Sequence, residues 1–349
     1  RGESTSAGSP CIPTLTLRVQ RGTYSSPNPS IVKDRTALGL IQYEERRGRL
    51  IPPMTIIESS SGNTAIGLSI FAKAKGYKVI AICDRYLPEV KKTRLRAFGA
   101  DIIFLPSTSM GMDTVELRIA VANYLADKVP NAITLGQYSN PGNPEIHYQT
   151  TGPEIWQDMQ GEVSAVVVAV GTCGTISGVG RYLKEKDKNI KIVGAEPEGS
   201  IIFGGENGKY LVQGGGLSFI PSIFDPNVVD MGVKVKDADS FGYIREVALK
   251  EGWMLGGTGG VVLGGIRQIA KHFGPEDNIV GIIPDSGERY IDSLFNDSWM
   301  VNKGFADKIY TGKVSDPKTV DVAESIGCCV NDIPEEIGYT LEDLCQRIN

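Results

Sequence analysis

Short apolar runs of strand length and longer segments with a helical spacing of apolar residues follow one another along most of the chain. Apolar runs of about four to eight residues are typical of buried strands, and a period of about 3.6 residues is typical of amphipathic helices. We predict strands at 14–19, 55–58, 79–83, 101–105, 165–170, 190–196 and 278–283. We predict helices at 36–46, from after 64 to 75, at 88–98, 113–128, 152–160, from after 175 to 187, and at 240–251, 262–273 and 340–347.

This order of elements indicates an α/β protein. Strands that alternate with helices form a mostly parallel sheet with helices on both of its faces. With 349 residues the chain has room for two such domains or for one large α/β domain. The run at 165–170 is apolar throughout, as expected for a strand at the centre of a parallel sheet.

Composition and charge narrow the class of function. Apolar residues make up 41% and charged residues 22%, both ordinary for a globular enzyme. The net charge of -5 gives no reason to expect nucleic acid or an anionic membrane as a partner, and no apolar run is long enough to span a bilayer. The chain has only two histidines, which argues against a histidine-based metal site or a Ser-His-Asp triad. Six scattered cysteines without a zinc-like pair favour reduced thiols and a cytoplasmic location.

The segment Asn-Pro-Ser-Ile-Val-Lys-Asp-Arg at 28–35 places Lys33 just before the predicted helix at 36–46. The helix dipole and the free N–H groups at a helix start disfavour an additional positive charge. A lysine that is also desolvated there can be neutral and nucleophilic. The alternative is a surface lysine in a turn, and the octapeptide alone favours that alternative.

The segment Gly-Thr-Cys-Gly-Thr at 171–175 follows an apolar strand and opens a helix. Backbone N–H groups and the helix dipole at such a junction make a phosphate site. Because the Lys-Ser/Thr ending of a P-loop and the wider GxGxxG pattern are both absent, we expect a single phosphate on a small cofactor. A tight packing turn is an alternative of similar weight.

Polar residues stand at three further junctions. Ser-Ser-Ser-Gly-Asn-Thr at 59–64 brings hydroxyl and backbone donors to a helix start, where they either grip a carboxylate or form an ordinary N-cap. Gln137 lies in a polar turn and is either a ligand contact or a turn residue. Pro-Asp-Ser-Gly-Glu-Arg-Tyr at 284–290 follows the last apolar strand. Ligands of open α/β sheets bind beyond the carboxyl ends of the strands. Hydrogen-bond donors that follow three different strands therefore indicate that they line one crevice, as in a cofactor enzyme.

These segments, in this order, resemble those of the cysteine synthase and cystathionine β-synthase family, fold type II enzymes that use pyridoxal 5'-phosphate. The resemblance covers about residues 13–300. It implies a fold like that of the tryptophan synthase β subunit, with two three-layer αβα domains and mostly parallel twisted sheets. The implied N-terminal domain is 1–142, with a mobile part at about 78–129 that closes over the site. The cofactor domain is 143–303, the extension is 304–349, and the implied assembly is a homodimer.

The resemblance also implies a role for each candidate residue. Lys33 is the Schiff-base lysine and the predicted catalytic residue. Asn63 would bond the 3-hydroxyl of the cofactor, and Ser286 would meet its pyridine nitrogen. The implied cofactor-binding residues are Lys33, Asn63, Gly171, Thr172, Cys173, Gly174, Thr175 and Ser286. The implied substrate-binding residues are Ser60, Ser61, Gly62, Thr64, Gln137 and Gly214.

The implied reaction is β-replacement on serine, O-acetylserine or O-phosphoserine. Lys33 would take the Cα proton, elimination would give an aminoacrylate, and sulfide, homocysteine or an amine would add at Cβ to form cysteine, cystathionine or a related amino acid. A hydroxyl at the pyridine nitrogen makes the ring a weaker electron sink, which favours loss of a β leaving group over transamination. Three alternatives stay open. They are a diaminopropionate-precursor synthase with an amine nucleophile, a β-eliminase of the serine/threonine dehydratase kind, and an inactive paralogue that binds a partner.

Several positions depart from the family pattern. Cys173 replaces the central glycine of the phosphate loop, and a packing role is expected for its thiol. Gly-Gly-Gly-Leu-Ser at 214–218 replaces the Gly-Ile-Gly-Ala-Gly of the family at the substrate entrance. Phe219 stands near the position where phosphoserine-using synthases have an arginine, which argues against a phosphate leaving group. The leaving group and the nucleophile therefore stay open.

Overall fold

A computed structural model describes residues 15–19, 32–60, 62–85, 87–105 and 114–309. The candidate Ser61 and the predicted helix at 340–347 lie outside these residues. The strands are β1 (Leu15–Val19), β2 (Thr55–Ser59), β3 (Lys78–Asp84), β4 (Asp101–Leu105), β5 (Ala132–Ile133), β6 (Ala165–Ala169), β7 (Lys191–Pro197), β8 (Met231–Val235) and β9 (Ile279–Ile283).

The helices begin and end mostly within a few residues of the predicted bounds. They are α1 (Val32–Arg46), α2 (Asn63–Lys75), α3 (Glu89–Ala97), α4 (Thr114–Lys128), α5 (Gly142–Ile146), α6 (Gly152–Asp158), α7 (Gly174–Lys186), α8 (Asp237–Glu251), α9 (Gly257–Ile269) and α10 (Asp297–Asn302). A π-helical turn at His147–Thr151 joins α5 to α6. No helix among the described residues is both long and apolar enough to cross a bilayer.

The strands form two sheets, and every pairing between them is parallel. One sheet has the order β4-β3-β2-β5 and the other the order β1-β9-β6-β7-β8. β1 pairs with β9 in the register Leu15 with Ile279, so the first strand of the described residues belongs to the sheet that the later residues build. The predicted α/β class with parallel sheets is confirmed, and the domain bounds stay a prediction.

Helices cover both faces of the five-stranded sheet. On one face α8 and α9 contribute Phe241 and Ile266 to a core with Val167 of β6. On the other face α7 contributes Ile176 to a core with Val168. Neighbouring residues of β6 therefore point into two different cores, which explains why the strand is apolar throughout.

Two helix starts differ from the prediction. α1 begins at Val32, four residues before the predicted start, so Lys33 lies inside its first turn. α9 begins at Gly257, five residues before the predicted start, because its glycines pack closely instead of forming a loop. A Cβ at Gly260 would lie 2.1 Å from the carbonyl oxygen of Ser240 in α8, so the absent side chain lets the two helices approach. The short elements β5, β8, α5 and α10 were not predicted.

Candidate active site

A cavity of about 420 Å³ lies where strands of both sheets end. It is lined by residues that follow β2 and β6, by the last residue of β3 and by residues near the end of β9, as expected for ligand sites of parallel sheets. Ten predicted site residues line it: Lys33, Ser60, Asn63, Thr64, Gln137, Gly171, Thr172, Cys173, Thr175 and Gly214. Three described candidates, Gly62, Gly174 and Ser286, adjoin lining residues without lining the cavity themselves.

Lys33 projects from the first turn of α1 toward the loop after β6. Its Nζ donates a hydrogen bond to Oγ1 of Thr172 at 3.2 Å. Burial lowers the pKa of the Lys33 amine from 10.5 to about 8, while Cys173 and the carboxylate of Asp285 oppose that shift. The predicted desolvated lysine at a helix start is therefore present, and near neutral pH a part of this amine is uncharged and nucleophilic.

The loop after β6 turns sharply into α7. Cys173 has a φ of 65° in the left-handed region, and a Cβ at Gly171 would lie 2.9 Å from the carbonyl oxygen of Gly214. The turn leads into the start of α7, whose first N–H groups have no acceptors within the helix, and the dipole there favours an anion. Burial raises the pKa of the Cys173 thiol, which keeps it neutral and agrees with a packing role.

The segment before α2 serves both as a helix cap and as part of the cavity wall. Oγ of Ser60 accepts hydrogen bonds from the N–H groups of Gly62 and Ala65, both at 3.1 Å. Oγ1 of Thr64 donates to Oε1 of Gln137 at 2.8 Å. Ser60 therefore stabilises the start of α2, although the N-cap residue itself is Gly62. The O–H hydrogen of Ser60 has no acceptor within the described segments. Two other predicted substrate contacts, Thr64 and Gln137, lie side by side.

Asn143, which the sequence did not single out, connects three parts of the site. Its fully buried side chain donates to the carbonyl oxygen of Gln137 at 2.8 Å and to Oγ1 of Thr172 at 3.1 Å. It accepts from Oγ1 of Thr36 in α1 at 3.2 Å. The lysine helix, the turn of Gln137 and the loop after β6 are thus positioned by one amide.

His147 lies beside this amide and is neutral. Burial, with the charges of Lys33 and Arg35, lowers the pKa of the His147 imidazole to about 3. Its Nε2 lies 3.4 Å from Oγ1 of Thr36 and 3.3 Å from Oγ1 of Thr175. The ring therefore joins α1 to α7 as an uncharged hydrogen-bonding group.

Asp285, and not Ser286, contributes its side chain to the cavity wall after β9. Its Oδ2 accepts from Nδ2 of Asn63 at 3.0 Å and from the hydroxyl of Tyr290 at 2.6 Å. Oγ of Ser286 instead accepts from the N–H of Glu288 at 3.4 Å and caps a short helical turn. The hydroxyl of Ser286 is thus engaged locally, and its contact with the pyridine nitrogen stays a prediction.

Two further cations in the wall were also missed. Arg118 is buried, donates from Nη1 to Oδ2 of Asp84, and has an Nε without a hydrogen-bond partner in the described part of the chain. Lys91 of α3 is 3% exposed and donates to Oε1 of Gln213 at 3.1 Å. Both belong to helices whose exposed faces also carry charges, so no signal in the sequence separates them from surface residues.

A family model described as "Pyridoxal-phosphate dependent enzyme" matches residues 30–285. The chain belongs to this family. It is 42% identical over 279 residues to a cystathionine β-synthase of Apis mellifera, a match that covers 78% of this chain and 55% of that protein. It is 38% identical over 270 residues to a cysteine synthase of Staphylococcus aureus (strain Mu50 / ATCC 700699), covering 77% of this chain and 85% of that protein.

The fold agrees with solved structures of similar proteins. The structure of an O-acetylserine-dependent cystathionine β-synthase from Helicobacter pylori matches with a TM-score of 0.75 and 32% identity, covering 81% of this chain and 90% of that one. The chain spans about half the length of the cystathionine β-synthases it matches, 50% to 57%.

The residues of the cavity fit the cofactor of the family, pyridoxal phosphate. The cavity holds a lysine of lowered pKa beside the start of α7, where a phosphate is favoured. Oδ1 of Asn63 and Oδ1 of Asp285 are buried without a hydrogen-bond partner among the described residues, so polar atoms of the wall are available to a ligand. Its volume is typical of a small-molecule site. The family match confirms the predicted cofactor, whereas the role of each single residue stays a prediction.

Proposed function

We propose that this chain catalyses β-replacement on serine or an O-activated serine, such as O-acetylserine or O-phosphoserine. The leaving group at Cβ is exchanged for a thiol, sulfide or amine nucleophile. The observation that carries the proposal is one cavity that joins an amine of lowered pKa, Lys33, to the amide of Gln137, whose oxygen accepts a hydrogen bond from Thr64. Similarity to cystathionine β-synthases and to a cysteine synthase supports the same reaction class.

Proton transfer is assigned to Lys33. When bound, the cofactor withdraws electrons from Cα of the amino acid and so stabilises negative charge there. With a pKa of about 8, the amine of Lys33 is balanced between accepting and donating a proton near neutral pH. Its contact with Thr172 keeps the amine next to the loop after β6, which would hold the phosphate of the cofactor.

Carboxylate binding is assigned to the start of α2. The O–H of Ser60 and the second amide N–H of Gln137 are side-chain donors in the wall. The N–H groups of Asn63 and Thr64 at the start of α2 add backbone donors, whereas that of Ala65 donates to Ser60. Since Gln137 already donates to the carbonyl oxygen of Ser59 at 2.7 Å, its amide is held in one orientation. A preorganised carboxylate site fixes Cα and Cβ relative to Lys33.

The exclusion of water is assigned to apolar side chains of the cavity wall and to closure of residues 78–129 over the cavity. Val168, Ile176, Leu217 and Ile282 line the cavity and keep part of its wall dry. Closure of residues 78–129, a homodimeric assembly and a cytoplasmic location belong to the same proposal, on the basis of the family resemblance.

A spectroscopic titration tests the proposal. Protein loaded with pyridoxal phosphate is titrated with serine, O-acetylserine and O-phosphoserine, and the absorbance of the bound cofactor is followed. We expect one donor to change the spectrum, a nucleophile to restore it, and mass spectrometry to find a β-substituted alanine. Release of a keto acid and ammonia, with no substituted product in the presence of sulfide, thiols or amines, would instead identify a β-eliminase.

A further inference from the structure

Lys91 is a buried cation of the cavity that neither cofactor binding nor the proton transfer uses. It lies on α3, is 3% exposed, and lines the same cavity as Lys33. An ammonium group removed from water is costly unless an anion or several hydrogen bonds compensate for it. Its partners therefore show whether the protein itself provides that compensation.

The protein provides only part of it. An ammonium has three N–H donors. In the described segments the amine of Lys91 makes one hydrogen bond, to the neutral amide oxygen of Gln213 at 3.1 Å, and no ion pair. The ring of Tyr290 lies below it, with 5.3 Å between Nζ and the ring centroid. Burial lowers the pKa of the Lys91 amine to about 8, with Asp285 opposing and Arg289 adding to the shift.

The stem of Lys91 connects two loops of the cavity wall. A Cβ at Gly62 would lie 2.8 Å from Cδ of Lys91, so the stem packs on the loop before α2. The amine reaches Gln213 in the loop that continues into Gly214. The amine of Lys91 is thus presented to the cavity next to the loop 214–218, where this sequence departs from the family.

We propose that Lys91 binds the carboxylate of the second substrate, so that the preferred nucleophile is an amino acid carrying a thiol or an amine. The proposal rests on the β-replacement proposed above. The carboxylate of the first amino acid is already assigned to the O–H of Ser60, the amide of Gln137 and the start of α2. An additional under-bonded ammonium in the same cavity therefore fits a second anionic group.

The test uses the loaded enzyme and separates the two halves of the reaction. The variants are Lys91→Met, which is of similar length and uncharged, Lys91→Arg, which keeps the charge, and Lys92→Met as the control. Lys92 is the next residue of α3, pairs with Glu89, and does not line the cavity. Cofactor absorbance and thermal unfolding show that each variant is folded and loaded.

Matched nucleophiles report on the carboxylate. Cysteine and cysteamine differ only in that group, and sulfide lacks it. For Lys91→Met we expect KM to rise about 10-fold to 100-fold for cysteine or homocysteine, the cost of a lost charge-assisted hydrogen bond. We expect less than about a 3-fold change for cysteamine and sulfide, an unchanged affinity of the donor in the cofactor spectrum, and partial recovery in Lys91→Arg.

Three results would overturn the proposal. The first is a rise in KM of Lys91→Met that is equal for cysteine, cysteamine and sulfide, which would give Lys91 a structural role. The second is a weaker spectral response to the donor, which would assign Lys91 to the first carboxylate or, if confined to O-phosphoserine, to the leaving group. The third is a wild-type enzyme whose spectrum responds to no donor. That result also overturns the proposed β-replacement, whereas the first two leave it standing.

Discussion

Replacing Asn143 by leucine removes the amide that joins Lys33's helix, the Gln137 turn and the loop after β6. Of its three partners, Thr172 keeps the hydrogen bond from Lys33, and Thr36 keeps a long one to the carbonyl oxygen of Val32 at 3.5 Å. The carbonyl of Gln137 loses its amide donor. A buried group left unsatisfied costs about 1–3 kcal/mol, so we expect a loss of about 1–3 kcal/mol in the free energy of unfolding.

Asn140→Leu is the matched control. Asn140 is 5% exposed and also makes three hydrogen bonds, to Oε1 of Glu44 at 2.8 Å, to the carbonyl oxygen of Leu135 at 2.9 Å and from the N–H of Gly142 at 2.8 Å. None of these partners lines the cavity. The two substitutions therefore have a similar cost in stability and a different relation to the site.

Urea unfolding of the cofactor-free protein and absorbance titration with pyridoxal phosphate measure the two effects separately. We expect similar losses of stability in both variants. Cofactor affinity falls about 10-fold to 100-fold in Asn143→Leu, because its amide positions Thr172, and less than about 3-fold in Asn140→Leu. Equal affinities in the two variants would refute the view that Asn143 acts on the cofactor through the loop after β6.

Three further predictions concern the amine, a buried carboxyl and the phosphate loop. Uptake of pyridoxal phosphate by cofactor-free protein needs the neutral amine of Lys33, so its rate rises with pH and levels off above about 8; a rise that continues beyond about 10 would contradict the lowered pKa. Burial raises the pKa of Glu58 from 4.5 to about 7, so between these two pH values the folded state binds more protons than the unfolded state. The free energy of unfolding therefore falls by about 3 kcal/mol as the pH rises from about 4.5 to about 7. We expect urea unfolding of Glu58→Gln at several pH values to lack this fall. Parallel pH profiles of the variant and the wild-type protein would disprove the raised pKa of Glu58. Gly171→Ala places a methyl group 2.9 Å from the carbonyl oxygen of Gly214, so we expect at least about a 10-fold loss of cofactor affinity, measured by absorbance titration. An affinity equal to that of the wild-type protein would show that the loop moves to accommodate the methyl group.

The sequence predicts those features that depend on local pattern. The apolar run of β6 marks a central strand, and the segments at 59–64 and 171–175 mark strand ends that meet at one cavity. Lys33 is singled out by the family resemblance, because its segment alone favours a surface lysine in a turn. The start of α9 was wrong because four glycines at 256–260 look like a turn, whereas they are sites of close helix packing.

The features that were missed depend on which way a side chain points. Lys91 and Lys92 are adjacent lysines of one helix, and only the position around the helix axis takes the first into the cavity and leaves the second beside Glu89. Asp285 and Ser286 are likewise adjacent, and the chain after β9 turns the carboxylate inward. Asn143 has a role only because the ends of α1, β6 and a turn meet around it. No periodic pattern of apolar and polar residues predicts such contacts between distant segments.

The pairing of β1 with β9 has a consequence for synthesis on the ribosome. The strand at residue 15 pairs with one that begins at residue 279, so the five-stranded sheet has a long-range contact that forms only after the ribosome has made the residues up to β9. Without β1, the apolar strand β9 becomes an open edge, the kind of edge on which chains aggregate. A fragment that begins after β1 is therefore expected to precipitate, and a separately supplied peptide of residues 15–19 with its flanks is expected to keep it in solution.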